Sequence, residues 1–384
     1  MSSNDRYFLF FGGVPDLSWA EVSALLPTAD LVRRVGYAEY RGELDPHEFG
    51  RKVGGIRKIA HALQSVAQKD VKEALIAQIS AGERKNVALT DYADLQITES
   101  DLVAIKKAVA RPLRFVSLAT DEHELVMLAR QHVAEYCLLP EISEPGSSLE
   151  IDEPGSAITI AETVWIFDAE DWIRRDRAKP YRDIKRGMLP PKLARMLVNM
   201  ATRGVSDLTL LDPFCGTGTV LSEALLAGAS HVYGSDTNAE AVKGAQQNLA
   251  WLTTLYQLPA GGYQCEVIDV ARVDAFVPQV DCIVTEPYMG PLIEERHVPP
   301  LAKLQDIARG LDKLYRGAFR TFAKILPPGG RVVMTIPSFA AYGRILETIH
   351  IDTLESLGYN YISSVAYSKP GAIVIRNITI LEKS

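Results

Sequence analysis

The stretch Leu208–Asp236 constrains the fold of this chain most. An apolar run leads into Asp212, and the glycines Gly216 and Gly218 follow, ahead of an apolar helical segment and a short run that ends at Asp236. This order predicts a strand, a glycine turn, a helix and a second strand, as in a doubly wound α/β domain. The glycines let the backbone approach a ligand closely, and the helix directs its first N–H groups at a carboxylate or phosphate. A carboxylate that ends the second strand suits the two hydroxyls of a ribose.

The glycine turn does not have the dinucleotide-binding pattern. That pattern needs a third glycine three residues after Gly218, where Leu221 stands. Asp212 would repel a pyrophosphate, and it suits a positively charged group such as the ammonium or sulfonium of S-adenosyl-L-methionine. The alternative is that Asp-Pro and Gly-x-Gly only make a tight turn. Asp236 and the motifs below favour the nucleoside site.

Composition sets wide limits. A chain of 384 residues, 47% apolar and 23% charged, is typical of a globular protein of two or three domains. The net charge of −7 does not indicate a nucleic-acid binder, so local patches must carry that argument. Four widely spaced cysteines predict reduced thiols in a cytoplasm rather than disulfides or zinc, and no metal is expected. No segment reaches the length of a membrane span, which predicts a soluble protein.

The segment Arg174–Arg195 is the most basic in the chain, with nine Lys or Arg against two Asp. It predicts contact with a polyanion such as RNA, and a solvated connector between domains is the alternative. A smaller basic group lies in the N-terminal half, where a solvated helix face is as good an interpretation as an RNA contact. The candidate RNA-binding residues are Arg57, Lys58, Lys106, Lys107, Arg174, Arg175, Lys179, Arg182, Lys185 and Arg186.

The N-terminal half predicts a mixed α+β region. We expect a strand at 7–11, a helix opened by a Ser18–Glu21 capping box, and one or two strands within 31–40. Residues 54–69 have the pattern of an amphipathic helix, as do 101–110 and 122–138, with a strand at 114–118. Residues 140–156 are rich in Pro, Gly, Ser and Glu, which indicates a linker or long surface loop.

From residue 208 the pattern alternates between strands and helices. The last two strands follow each other directly, so they should form a hairpin that adds an antiparallel strand to a parallel sheet. The predicted strands are 208–212, 231–236, 264–270, 281–286, 331–337, 361–367 and 373–382, and the predicted helices are 219–227, 238–252, 302–325 and 343–357.

These features together resemble a class I, Rossmann-like methyltransferase that uses S-adenosyl-L-methionine. The resemblance rests on Asp212-x-Phe214-x-Gly216-x-Gly218, on Asp236, on a Pro-Pro-Gly-Gly turn before the fifth strand and on the terminal hairpin. Further stretches are similar to the THUMP-domain tRNA guanosine N2-methyltransferases. They are Gly12-Gly13 with Pro15-x-Leu17-Ser18-x-Ala20-Glu21, then Gly54-Gly55-Ile56-Arg57-Lys58-Ile59, Arg174-Arg175-Asp176, Pro180-x-Arg182-Asp183 and Gly187-Met188-Leu189-Pro190-Pro191-Lys192.

The resemblance implies a modular tRNA-modifying enzyme. It assigns residues 1–55 to a small ferredoxin-like α+β domain, 56–157 to a THUMP-like RNA-binding domain, 158–190 to a basic linker and 191–384 to a seven-stranded methyltransferase domain. It also implies methylation of a guanosine N2 amine, with the tenth tRNA position as a candidate. The implied cofactor residues are Pro190, Asp212, Phe214, Gly216, Gly218, Asp236 and Asp269, of which Asp269 would accept from the adenine amine or be only a turn residue.

The motif expected to carry the chemistry departs from the family pattern. Family members end the fourth strand with Asp-Pro-Pro-Tyr, whereas this chain has Thr285, Glu286, Pro287 and Tyr288. Thr285 could accept from the target amine through its hydroxyl, or Glu286 could take over through a kinked backbone. Tyr288 would stack on the flipped base.

Three functions stay open on the sequence. The first is the tRNA guanosine N2-methyltransferase, acting in the cytoplasm as a monomer or weak homo-oligomer without a metal. The second is an amine methyltransferase acting on another RNA base or on DNA. The third is a non-catalytic RNA-binding paralogue that keeps the cofactor fold.

Overall fold

The computed structural model describes residues 5–117, 128, 132–141, 157–183, 188–293, 298–369 and 371–384. The chain divides into two compact units. The first comprises residues 1–15, 26–52 and 56–169, and the second comprises 16–25, 53–55 and 170–384. The four domain boundaries expected from the resemblance stay a prediction.

The first unit is built on one eight-stranded sheet. Its helices are α2 (Pro46–Lys52), α3 (Val71–Ala81) and α4 (Glu99–Ala108). Its strands lie in the order β2-β3-β1-β4-β8-β7-β5-β6. They are β1 (Arg6–Phe11), β2 (Leu31–Arg33), β3 (Tyr37–Arg41), β4 (Ile56–Ala67), β5 (Asn86–Asp91), β6 (Arg114–Phe115), β7 (Ala134–Pro140) and β8 (Ala157–Ile166).

The strand β4 corrects the prediction of an amphipathic helix at residues 54–69. Its apolar residues pair with β1 on one side and β8 on the other, and these long-range pairings override the local helical spacing. Residues 134–138, which we expected at the end of a helix, also form a buried strand. The rest of that predicted helix, apart from Leu128 and residues 132–133, lies outside the described residues, as does the predicted linker from residue 142 to 156.

The second unit holds the strand-helix alternation. Its helices are α1 (Pro15–Leu25), α5 (Ala169–Arg177), α6 (Pro191–Thr202), α7 (Thr219–Leu226), α8 (Ala239–Leu255), α9 (Leu301–Ile325) and α10 (Ile351–Ser356). Its strands are β9 (Thr209–Asp212), β10 (His231–Asp236), β11 (Tyr263–Val267), β12 (Cys282–Thr285), β13 (Arg331–Ala341), β14 (Arg344–Glu347), β15 (Tyr359–Tyr367) and β16 (Val374–Lys383).

The sheet of the second unit runs β11-β10-β9-β12-β13-β16-β15, with β14 paired to β13. Strands β9 to β13 are parallel, and β16 is antiparallel to both of its neighbours, as the terminal hairpin predicted. The chain order reverses on the two sides of β9, so the carboxyl ends of β9 and β12 meet at a topological switch point, where α/β sheets bind ligands. Buried side chains of α9, such as Tyr315 and Phe319, pack the core beneath this sheet.

Two local predictions in the second unit are wrong. Residues 343–357 do not form one helix, because Arg344–Glu347 pairs with β13 and only the short α10 follows. Ser18 and Glu21 do not cap α1, since the helix begins at Pro15. Instead, the Glu21 carboxylate accepts from the backbone N–H groups of Gly54 (2.8 Å) and Gly55 (2.7 Å), so this pair holds a neighbouring turn. Within the described part of the chain, no helix is long and apolar enough to cross a membrane.

Candidate active site

Asp212 and Thr285 lie at the carboxyl ends of the adjacent strands β9 and β12. The Thr285 hydroxyl donates to Oδ1 of Asp212 at 2.6 Å, and the backbone N–H of Phe214 donates to the same oxygen at 3.1 Å. Both side chains are buried, with 2% of Asp212 and none of Thr285 exposed. The ends of the two strands therefore form one hydrogen-bonded site.

Opposing effects act on the pKa of the Asp212 carboxyl group. Burial, together with the negative charges of Asp236 and Glu286, raises the pKa of Asp212 to about 7, although the hydrogen bonds from Thr285 and Phe214 lower it. Three carboxyl groups thus interact at this edge of the sheet. Such a cluster is stabilised by a cationic ligand, because an opposite charge favours the ionised form.

The turn after β9 has the open backbone that its glycines predict. Gly216 and Gly218 both have left-handed conformations, with φ of +50° and +81°. A side chain at Gly216 would meet no protein atom within 4 Å, so the space over this residue is open to a ligand. The Gly216 N–H donates to Oδ2 of Asp236 at 3.1 Å, and Asn238 N–H donates to Oδ1 at 2.9 Å. Asp236 therefore closes the turn and keeps further acceptor capacity on each oxygen.

The remaining predicted cofactor residues differ in their surroundings. Pro190 is exposed and precedes the first turn of α6. Phe214 is half-buried against the core. Asp269 is exposed two residues beyond β11, and its Oδ1 accepts from Ala271 N–H at 2.8 Å, as a turn residue would. Its contact with an adenine amine stays a prediction.

The structure separates the roles of the residues that follow β12. The expectation that Thr285 accepts directly from a target amine is not supported, because its side chain is wholly buried and bonded to Asp212. Glu286 is half-buried, and Arg376 on β16 donates to it through Nε at 3.2 Å. Burial raises the pKa of Glu286, while the charge of Arg376 lowers it. Glu286 is thus the acidic side chain of this motif that keeps some access to solvent.

Tyr288 presents its ring to solvent from a fixed backbone. Its side chain is 58% exposed, next to the buried Pro287. The hydroxyl of the buried Tyr315 on α9 donates to the backbone carbonyl of Tyr288 at 2.8 Å. An exposed aromatic ring on an anchored backbone suits base stacking.

Three of the basic residues expected to contact RNA are instead part of the packed interior. Lys58 has no exposed surface, and its Nζ lies 2.5 Å from a carboxylate oxygen of Glu135. Arg175 is buried, with its guanidinium on the carboxylate of Glu223 at 2.5 Å. Lys179 is also buried and donates to Thr219 at 3.2 Å. In each case the charge is withdrawn from solvent, so these three assignments are wrong.

The other basic candidates keep their access or lie outside the description. Lys106 and Lys107 are exposed on the first unit, where Arg57 is half-buried. Arg174 and Arg182 are exposed on the second unit. Lys185 and Arg186 lie outside the described residues.

Sequence reasoning missed the residues that hold the site together. Asn248 on α8 accepts from Tyr181 N–H at 2.9 Å and donates to the carbonyls of Tyr181 (3.0 Å) and Thr217 (2.9 Å). It thereby ties the basic segment to the glycine turn. Arg376 and Tyr315 were missed too, because each lies far along the chain from the motif that it holds. A polar residue in an otherwise apolar helix stripe was the available signal for Asn248 and Tyr315.

Part of this chain matches a family of methyltransferase domains. Residues 179–355 match the family described as UPF0020, RMKL-like, methyltransferase domain. The chain is 32% identical over 157 residues to a tRNA (guanine(10)-N2)-dimethyltransferase of Methanothermobacter thermautotrophicus, covering 40% of each chain. It is 30% identical over 156 residues to a tRNA (guanine(6)-N2)-methyltransferase of Thermus thermophilus, covering 39% of each.

A solved structure extends the likeness in fold to the whole chain. The crystal structure of TrmN from Thermus thermophilus matches with a TM-score of 0.52 at 18% identity, over 99% of this chain and 100% of that one. At this identity the likeness establishes the fold and confirms the predicted α/β class. The sequence alignments span only about two fifths of the two curated relatives named above.

Proposed function

We propose, from the UPF0020 methyltransferase domain at residues 179–355, that this chain is a tRNA methyltransferase acting on a guanosine N2 amine. One observation carries the proposal. A carboxylate, Glu286, and an exposed aromatic ring, Tyr288, both lie directly after β12. This pair lies at the same sheet edge as the glycine turn. An acceptor for amine protons and a platform for a base therefore adjoin a nucleoside-type site.

The residues present fit S-adenosyl-L-methionine as the methyl donor. Gly216 has open space above it, and Asp236 at the end of β10 can accept from ribose hydroxyls. Asp212, whose pKa is raised to about 7, would hold the positively charged methionine part. When bound, the cofactor supplies an electrophilic methyl group on a sulfonium.

Glu286 and Tyr288 act on the other reactant. The edge of guanine offers N1–H and N2–H donors side by side, and one carboxylate can accept from both. Adenine has an acceptor at N1, so the same carboxylate disfavours it. Stacking on Tyr288 would fix the plane of the base and direct the amine nitrogen at the methyl group that the cofactor would supply, with the carbon–sulfur electron pair left on sulfur. The proton that the nitrogen then loses passes to Glu286 or to solvent.

Exposed cations support tRNA as the partner. Lys106, Lys107, Arg174 and Arg182 are all at the surface, where they can contact phosphates. We further propose that the first unit contains the THUMP-like RNA-binding domain, and that the protein acts in the cytoplasm as a monomer or weak homo-oligomer.

Because the motif departs from Asp-Pro-Pro-Tyr, two other functions are to be tested. One is methylation of a different base, and the other is RNA binding without catalysis. Purified protein would be incubated with labelled S-adenosyl-L-methionine and bulk unmodified tRNA, and the RNA digested to nucleosides. Label in N2-methylguanosine supports the proposal. Label in another nucleoside, or in DNA supplied in a parallel reaction, supports the second function, and cofactor binding without labelled nucleic acid supports the third.

A further inference from the structure

In the sheet of the second unit, strand β13 extends beyond the end of β12, where the candidate catalytic motif begins. We call this extension, residues 335–341 of β13 with the paired β14, the wall. Strand β12 ends at Thr285, which is in register with Met334 on β13. Strand β13 runs on for seven more residues to Ala341, paired with β14 and with β16. At about 3.4 Å per residue, this extension rises roughly 24 Å beyond the end of β12. Arg376, the partner of Glu286, pairs with Pro337 within the wall.

The wall ends in a two-residue turn that contains an aromatic residue. Ala341 and Arg344 are the last paired residues, so Tyr342 and Gly343 form the loop. Both have left-handed conformations, with φ of +53° and +68°, as a type I′ turn requires. Asparagine is favoured ahead of glycine in this turn, whereas a bulky aromatic residue in the left-handed region is uncommon. The left-handed backbone of Tyr342 therefore costs conformational free energy, which points to a function for its side chain.

The tyrosine ring is both exposed and fixed. Tyr342 is 59% exposed, and its hydroxyl donates to the carbonyl of Pro299 at 3.1 Å. Pro299 lies two residues before the start of α9, near the end of the segment that follows the catalytic motif. A ring held in this way loses little conformational freedom when a flat ligand stacks on it.

The base of the β13–β14 hairpin packs on the loop that follows β12 and contains Gly290. A side chain at Gly290 would lie 3.8 Å from the ring of Phe339 on β13, which shows how closely the wall approaches that loop. At the tip, Arg344 is exposed and has no charged partner among the described residues. The wall thus presents an aromatic ring and a cation together at its tip. This combination is typical of sites that bind unpaired nucleotides.

We infer that Tyr342 and Arg344 bind an unpaired nucleotide of the RNA substrate at a distance from the methylated one. Tyr342 stacks on its base, and Arg344 contacts its phosphate. This inference rests on the proposed function, because it needs an RNA whose target nucleotide is turned out of its helix. It adds a second stacking platform to the one at Tyr288.

Substitution by asparagine separates the ring from the turn. The Tyr342→Asn variant keeps a residue that the type I′ turn favours, so its melting temperature should equal or exceed that of the wild type. It should bind unmodified tRNA about tenfold more weakly, within the range seen when one base loses its aromatic partner. Tyr342→Phe, which keeps the ring, should stay within about twofold of the wild type. Tyr361→Asn is the matched control, since Tyr361 is 36% exposed and in register with Leu381, towards the opposite end of the sheet.

Binding would be measured by fluorescence anisotropy with labelled unmodified tRNA over a range of salt concentrations. Arg344→Gln should reduce the slope of log K against log salt by about 0.8, the effect of one phosphate contact. Equal tRNA affinity of the wild type and Tyr342→Asn would overturn the stacking, and an unchanged slope for Arg344→Gln would overturn the phosphate contact. A wild-type protein that binds no tRNA would instead remove the proposed function itself, so the two failures are distinguishable.

Discussion

The hydroxyl of Thr285 donates a 2.6 Å hydrogen bond to the carboxylate of Asp212, joining the motif expected to carry the chemistry to the motif expected to hold the cofactor. In the family pattern an acidic residue stands at position 285. Here a neutral donor stands beside a buried carboxyl group, and the acidic side chain is Glu286. Thr285 therefore lowers the pKa of Asp212, and on the proposed function the amine acceptor is moved by one residue to Glu286.

Removing this hydroxyl should alter the pH dependence of cofactor binding. The pKa of Asp212 is raised to about 7, mainly by burial, and the hydrogen bond from Thr285 keeps it from rising further. The affinity of wild-type protein for S-adenosyl-L-methionine should increase as the pH rises through about 7, because the ionised carboxylate attracts the cation. In Thr285→Val the midpoint should move to higher pH, with Thr285→Ser as the control that keeps the hydroxyl. Cofactor affinity would be measured by calorimetric titration between pH 6 and 9. The same midpoint pH for Thr285→Val as for the wild type would contradict this role.

Asp212→Asn should stabilise the cofactor-free protein above neutral pH. The pKa of Asp212 is raised from 3.8 to about 7, so its contribution to stability is complete below about pH 4 and is lost as the pH rises through about 7. The asparagine variant has no such loss. Its advantage in free energy of unfolding should grow from pH 5 to pH 8, by an upper bound on the order of 3 kcal/mol, while its cofactor affinity falls at least tenfold. Chemical denaturation at both pH values measures the first effect, and an advantage independent of pH would exclude it.

Tyr315→Phe should slow methyl transfer without weakening cofactor binding. The lost hydroxyl donates to the carbonyl of Tyr288, so its removal frees the backbone that holds the stacking ring. We expect kcat to fall about tenfold, equivalent to about 1.4 kcal/mol. Tyr359→Phe is the matched control, since the Tyr359 hydroxyl donates at the same 2.8 Å to a buried carbonyl, that of Phe319. Equal kcat losses in the two variants would show a general packing effect.

Arg376→Gln should shift the pH dependence of turnover. Burial raises the pKa of Glu286, and Arg376 lowers it, so removal of the guanidinium should raise that pKa further. Glu286 must be ionised to accept from two N–H groups, so activity should be lost as the pH falls through its pKa. The acidic limb of the kcat/KM profile should therefore move to higher pH in Arg376→Gln and much less in Arg376→Lys. A limb that stays in place in Arg376→Gln would contradict this role for Glu286.

Lys58→Met should destabilise the protein without a specific effect on RNA binding. The substitution leaves Glu135 as a buried, unpaired charge, which costs about 3–5 kcal/mol. The double variant Lys58→Met, Glu135→Leu should recover most of this loss. Lys107→Met is the contrasting control, because an exposed lysine should affect tRNA affinity and leave stability unchanged. Denaturant titrations and tRNA binding would show opposite patterns for the two lysines.

The second unit was largely predictable because its elements carry their own local signals. Strand β10 ends at Asp236 and the turn contains Gly216 and Gly218, as their sequence pattern predicts. The first unit was less predictable, since β4 has helical spacing and becomes a strand only through long-range pairing with β1 and β8. The hairpin β13–β14 was missed because Tyr-Gly is a weak turn signal compared with Asn-Gly.

Within the site, residue types were predictable and side-chain partners were not. Asp212 and Tyr288 were found from motifs, but nothing local shows that Thr285 donates to Asp212 or that Arg376 holds Glu286. Charge runs misled in the same way. Arg175 stands in the most basic segment and is nevertheless buried against Glu223, a partner 48 residues away.

The most direct test of the account replaces the atom that receives the methyl group. Once the modified guanosine has been mapped by nucleoside digestion, a tRNA would be assembled with inosine at that position, which removes only the exocyclic N2 amine. The account predicts that the wild-type protein transfers labelled methyl to the guanosine tRNA and none to the inosine tRNA, while binding both. Equal methyl transfer to the inosine tRNA would contradict it.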